Sequence, residues 1–220
     1  MTIFAALRRG LAITAALAAL ELLSVGASSA RAESLIPRLE SIVQTGSNFT
    51  WTYAIDLTAD SRLDLTNQRN TDGTTGRNLF ANFGTIYDFN GYVPGTFTFL
   101  PSNGTVATDW NLTTPLLGLT PAGQPVNPPD SPAIINLSYE YVNQTKVVIG
   151  PVLNVLRISA QSIFGGQKIG AYSFQDTRNV PNDVTDGTRA IGSGNVAVPV
   201  PEPASLALVG MGLIGIPGLL

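Results

Sequence analysis

The strictest constraint on how this chain can fold is a period of two. Residues 49–57 run Phe-Thr-Trp-Thr-Tyr-Ala-Ile-Asp-Leu, with a large apolar side chain at every odd position and a small or polar one at every even position. Successive side chains of a β-strand point to opposite faces, so as a strand this order has one apolar and one polar face; as a helix it would scatter the apolar residues around the axis. Ile135, Leu137, Tyr139 and Tyr141 repeat the pattern against Asn136, Ser138 and Glu140. Both segments are expected to be strands with one buried and one wet face.

Residues 83–89, 96–100 and 106–112 alternate less strictly. Strand-like runs also occupy 145–149, 153–162, 169–174 and 195–198, for a total of about nine strands. Residues 34–43 read either as a short leading helix or as a strand. Asp72-Gly73, Asn90-Gly91, Asn103-Gly104 and Asp186-Gly187 punctuate the runs, and these dipeptides favour the positive φ of tight turns. Many short strands without amphipathic helices predict an all-β fold, a single antiparallel β-sandwich of jelly-roll or Ig-like type over residues 33–198. Two segments break the spacing. Residues 59–78 are polar and turn-rich, and 114–132 contain Pro115, Pro121, Pro125, Pro128, Pro129 and Pro132, too many for a central strand. Both are expected on the surface, as solvent-facing connectors or as ligand-binding loops.

Composition narrows the chemistry. The chain has no cysteine and no histidine, which removes disulfides, thiolate nucleophiles, imidazole bases and His-ligated metals. A net charge of −3 argues against gripping a nucleic-acid backbone. Oxygen ligands and carboxylates remain. Asp56, Asp60 and Asp64, spaced by four, are candidates for a calcium site, with Asn67, Asn70 and Asp72 nearby, although no Asp-x-Asp-x-Asp-Gly loop is present. Asp183 and Asp186 before Gly187 read as turn residues. A glycosidase needs two carboxylates at a defined spacing, and no acidic pair here is flanked by aromatics in a way that singles it out. Trp51, Tyr53, Trp110, Tyr139 and Tyr141 offer faces for sugar stacking, but on alternating strands such residues more often fill the core.

The two ends read as addresses. Arg8 and Arg9 precede an apolar stretch over 11–26, and Ala30-Arg31-Ala32 supplies the small residues that signal peptidase reads. Residues 1–32 are thus expected to be a signal helix cleaved after Ala32. Glu21 inside the apolar run makes a permanent membrane span costly. Loss of Arg8, Arg9, Arg31 and Glu21 leaves nine basic against fourteen acidic residues, a net charge of −5. At the other end, Val200-Pro201-Glu202-Pro203-Ala204-Ser205 is followed by fifteen uncharged residues, Leu-Ala-Leu-Val-Gly-Met-Gly-Leu-Ile-Gly-Ile-Pro-Gly-Leu-Leu. The two prolines hold the triplet extended and remove backbone donors, a form that a protease can read at a membrane surface. As a helix the apolar run would reach roughly 22 Å, against a hydrocarbon thickness of roughly 30 Å.

This ending resembles the PEP-CTERM sorting signal of exported proteins from Gram-negative bacteria. The resemblance covers residues 199–220. It implies recognition of Pro201, Glu202 and Pro203 by an exosortase, a membrane-embedded protease. It further implies transient anchoring in the inner membrane through a C-terminal hydrophobic helix, then delivery to the outer surface or extracellular matrix. The family usually ends in a basic cluster; here nothing basic follows Arg189, and Pro217 interrupts the apolar run. The resulting expectation is a non-enzymatic surface or matrix protein in three parts: signal peptide 1–32, sandwich 33–198 and sorting segment 199–220. Its role would be structural or adhesive in an exopolysaccharide or biofilm setting, with no cofactor beyond the calcium candidate. Signal peptidase and exosortase would process it, and extracellular polysaccharide would be its partner. The alternatives are a carbohydrate-binding module, calcium-dependent or not, and, third, a carboxylate-based glycoside hydrolase.

Overall fold

The alternation in 49–57 becomes the centre of a sheet. A computed structural model of the chain describes residues 35–124 and 128–201. Among these it has thirteen strands: β1 (Leu35–Thr45), β2 (Asn48–Leu57), β3 (Ser61–Leu63), β4 (Gln68–Arg69), β5 (Thr75–Gly76), β6 (Asn82–Ile86), β7 (Thr98–Leu100), β8 (Trp110–Thr113), β9 (Leu137–Tyr141), β10 (Val148–Ile149), β11 (Val152–Ser162), β12 (Gly166–Arg178) and β13 (Arg189–Val200). The first sheet has the order β1-β2-β11-β7 and the second β10-β3-β12-β6-β9-β8, with β13 on the free side of β12; β4 and β5 form a separate hairpin. Every pairing is antiparallel. The expected all-β sandwich is therefore the fold. The expected signal helix, the Ala32 cleavage site and the C-terminal hydrophobic helix lie outside the described residues. Among the described residues no helix is long and apolar enough to cross a membrane.

The core is one cluster fed by both sheets. Trp51, Tyr53, Ile55 and Leu57 point inward from β2, as the period of two requires, and meet Leu137, Tyr139, Tyr172 and Phe174 from the facing sheet. Tyr53 Oη donates to the carbonyl of Ala197 at 2.9 Å, so the sheets are joined by a hydrogen bond as well as by packing. Aromatic volume is accommodated by glycine. Along one inward row the register runs Gly192, Phe174, Gly84, Tyr139, Leu112 across five strands. Phe174 fills the space beside Gly192 and Tyr139 the space beside Gly84. Residues 34–43, open between helix and strand in the sequence, lie almost wholly in β1, which pairs with β2 along its length around a bulge at Glu40.

The wet faces are less wet than alternation implies. On the outer face of β2, Ala54 is fully buried because its cross-strand neighbours are Arg38 and Arg157, whose stems cover it. Arg157 donates twice to Glu40, at 2.7 and 3.0 Å, and Arg38 faces Asp56 at 3.5 Å. The second sheet carries on its outer face a row of small hydroxyl residues, Ser193, Ser173, Thr85, Ser138 and Thr113. The described parts of the proline-rich segment, 114–124 and 128–132, lie on that row. Thr85 Oγ1 and Tyr87 Oη donate to the carbonyl of Leu119 at 2.9 and 3.1 Å, and Asn136 Nδ2 donates to Leu116 and Asp130. Ser138 and Asn136 are consequently buried, which corrects the expectation of a wet face on β9. The proline-rich segment is neither a free connector nor an open binding loop. It serves as a cover held by side-chain hydroxyls.

All four Asx-Gly dipeptides turn as expected, with φ of +87° at Gly73, +65° at Gly91, +78° at Gly104 and +77° at Gly187.

Candidate functional site

A cleft lies between two loops brought together by the second sheet. One wall is the segment from Asp64 to Phe80, carrying the β4–β5 hairpin; the other is the turn joining β12 to β13. The first wall is fixed from beneath by polar groups. Gln68, Asn82 and Thr177 all donate to the carbonyl of Asp64, at 2.8, 3.0 and 3.2 Å. The Asp64 carboxylate accepts from the backbone amides of Thr66 and Asn67. Buried polar groups have to be satisfied in this way, and a fully satisfied network rigidifies its loop.

Arg62 ties the two walls. Its guanidinium, nearly buried, sits 3.2 Å from Asp64 and donates to the carbonyl of Asn67 on one wall, and it donates to both carboxylate oxygens of Asp186 on the other. The amide of Arg69 donates to the carbonyl of Gly187 at 2.7 Å. Here glycine is required twice over. At φ +77° an L side chain is strained, and a Cβ on Gly187 would lie 3.2 Å from Arg62 Nη2 and 3.5 Å from the Asn67 carbonyl.

The cleft has a volume of about 730 Å³ and is lined by Arg69 from β4, Arg178 from the end of β12 and Arg189 from the start of β13. Thr71, Thr185 and Thr188 add hydroxyls, and Leu79, Phe80 and Ile191 add apolar surface. Among the described residues no carboxylate lines it. The nearest acidic residues along the chain are committed to their own turns. Asp72 accepts from the amide of Thr74 at 2.8 Å, and Asp183 accepts from the amide and hydroxyl of Thr185. Such an arrangement can receive an anion with hydroxyl-bearing and apolar portions; it has no paired carboxylates for acid–base hydrolysis.

The predicted sites fare differently. Asp56, at the end of β2 in the first sheet, accepts from the Asn154 amide and faces Arg38, whereas Asp64, beside β3 in the second sheet, is held by Arg62 and its own turn. Asp60 lies in the short turn between β2 and β3, and its carbonyl accepts from the Asn179 amide. The three are not brought together, and among the described residues no group of three or more acidic side chains is placed to hold a metal ion. Trp51 and Tyr53 are fully buried, and Trp110 packs edge-on against Tyr139 and Tyr141 at 6.2 and 5.4 Å; none is a sugar platform. Of the cleft, segment 59–78 was expected on the surface, as a solvent-facing connector or a ligand-binding loop, and its residues 69–71 and 73 line one wall. The wall at 178–191 was missed, and its one sequence signal was the Asp186-Gly187 turn with an arginine on either side.

The C-terminal site is placed by β13, which pairs with β12 continuously from Arg189 to Val200, the last pair being Val200 with Gly166. The sheet thus runs two residues past the expected boundary at 198. Pro201 follows immediately and is exposed. Glu202 and Pro203 lie outside the described residues.

Comparison with protein families finds the PEP-CTERM protein-sorting motif at residues 199–219. No curated protein and no solved structure matches the chain. The motif marks an exported protein that is held transiently at the membrane and processed by exosortase.

Proposed function

We propose that the chain is delivered to the outer surface or extracellular matrix, where its sandwich has a non-enzymatic, structural or adhesive role in an exopolysaccharide setting. The observation that carries this reading is the placement of the sorting motif. The pairing of β13 with β12 ends at Val200 and the recognition triplet begins at Pro201, which is exposed and outside the sheet. The sandwich is also suited to an exposed setting, since it contains no thiol and its stability is indifferent to redox conditions. The experiment is an intact-mass measurement of the exported chain from hosts with and without exosortase. The reading expects loss of the apolar tail only where exosortase is present; the same C-terminus in both hosts overturns it.

A second reading, a carbohydrate-binding module, is favoured by the cleft between the two loops. Its size suits a short stretch of polysaccharide, and its lining alternates hydroxyl, cationic and apolar groups.

A further inference from the structure

We infer that the cleft binds an acidic polysaccharide, taking its carboxylate or sulfate groups on Arg69, Arg178 and Arg189. The inference deepens the carbohydrate-binding reading and rests on it for the choice of polymer. It begins from how this chain uses its cations. Elsewhere on the domain most arginines and lysines are committed, Arg38 to Asp56, Arg62 to Asp64 and Asp186, Lys146 to Asp109 and Arg157 to Glu40, while Lys168 stands alone and exposed on β12. Arg77 donates to the Gln144 carbonyl. Among the described residues, the guanidinium groups of Arg69 and Arg189 have neither an ion pair nor a hydrogen bond. Both line one cleft, together with Arg178.

In a domain of net charge −4 this concentration is not what a solvated surface requires. Arg69 and Arg189 carry like charges in a concavity that no carboxylate lines among the described residues; they repel one another, and that cost is recovered when an anion enters. A guanidinium presents a planar fork that matches a carboxylate or sulfate bidentately. The remaining lining selects among anions. Thr71, Thr185 and Thr188 offer hydroxyls to ring hydroxyls, and Leu79, Phe80 and Ile191 offer apolar surface to the C–H faces of a sugar. A nucleic acid would instead need a long basic stripe, and the rest of this surface is acidic. The walls are prefixed by Arg62 and by the Arg69–Gly187 backbone bond, so little ordering is required on binding.

The test uses the purified full-length chain, with polygalacturonate, dextran sulfate, neutral dextran and inorganic phosphate as probes in titration calorimetry. The inference expects binding to the two acidic polymers, none to neutral dextran, and a weakening of roughly 10- to 40-fold between about 50 and 200 mM salt, the scale for two to three neutralised charges on a polyanion. Arg69→Gln and Arg189→Gln should each weaken binding about tenfold without moving the melting temperature, because these side chains hold nothing in the fold. Lys168→Gln, an exposed lysine outside the cleft, should leave binding unchanged. Unaltered polygalacturonate binding by the double arginine variant overturns the cleft assignment while leaving a matrix role standing. Equal affinity for neutral dextran overturns the acidic selectivity alone, and binding to phosphate but to no polymer overturns the polysaccharide assignment. Failure of tail processing in the mass measurement overturns the surface reading independently of these results.

Discussion

Replacing Gly84 with alanine gives the sharpest test of how the sandwich is packed, because the structure predicts the sign opposite to the general rule. At a glycine with ordinary φ and open surroundings, alanine stabilises by about 0.4–1 kcal/mol through the unfolded chain. Gly84 has no positive φ, yet a methyl there would lie 2.4 Å from Tyr139 Oη, 2.5 Å from Cζ and 2.6 Å from Cε2. Ordinary carbon contacts are about 3.5–4.0 Å, so the overlap is about 1 Å at the hydroxyl and two ring carbons. Tyr139 has no room to retreat. It is fully buried, with Trp110 edge-on at 6.2 Å. Overpacking of this kind costs about 1–3 kcal/mol, and for a domain of this size the upper figure lowers Tm by about 6–12 °C. Urea unfolding followed by the fluorescence of Trp51 and Trp110, both buried, measures the loss. Tyr139→Phe is the companion. Among the described residues its hydroxyl has no hydrogen-bond partner, and burial pushes the phenol pKa up so that it stays neutral. Its removal should therefore cost nothing and should relieve part of the Gly84→Ala penalty. A Gly84→Ala chain as stable as the parent, or more so, refutes the claim that the Gly84–Tyr139 pair is close-packed.

Two further outcomes follow from buried polar groups. Burial alone would raise the pKa of Asp109, but Asn143, the Val106 amide and Lys146 outweigh it and hold the carboxyl below its ordinary 3.8. A depressed folded pKa contributes stability above the unfolded pKa and loses it as pH falls through the folded value. Asp109→Asn should thus cost about 1.5–3 kcal/mol at pH 7, and the difference in urea midpoint should close below about pH 4; an equal difference at pH 3 sinks the assignment. Tyr87 Oη bonds to Ser173 at 2.7 Å, Thr120 at 2.8 Å and the Leu119 carbonyl at 3.1 Å, so Tyr87→Phe should loosen the cover at 114–132. A loss of about 1 kcal/mol corresponds to roughly fivefold faster thermolysin cleavage within that segment, and unchanged cleavage there contradicts the stapling.

How far the sequence reaches can be judged residue by residue. The period of two in 49–57 places Trp51, Tyr53, Ile55 and Leu57 in the core, because side-chain direction in a strand is a local property. The Asx-Gly dipeptides locate four turns for the same reason, since positive φ is a cost borne by the residue itself. The sorting motif at 199–219 is equally legible, being read by its processing protease as linear sequence. Spacing alone did not place the acidic trio. Asp56 lies in β2 of the first sheet and Asp64, eight residues on, in the turn that follows β3 of the second, where that turn and Arg62 use up the carboxylate that a cation would need. Short strands such as β3 and β4 were also hidden, because two or three residues carry no period.

The sequence by itself determined an exported β-protein with an address at its C-terminus, for these are matters of local geometry and linear recognition. Only the tertiary structure decided that a proline-rich segment covers the hydroxyl row of the second sheet. It alone decided that Arg69, Arg178 and Arg189, scattered over 120 residues of chain, face one cleft. The reason is physical. An antiparallel sheet sets as neighbours residues that are distant in the chain, and which charges are then neutralised depends on those neighbours, which no local pattern of residues encodes.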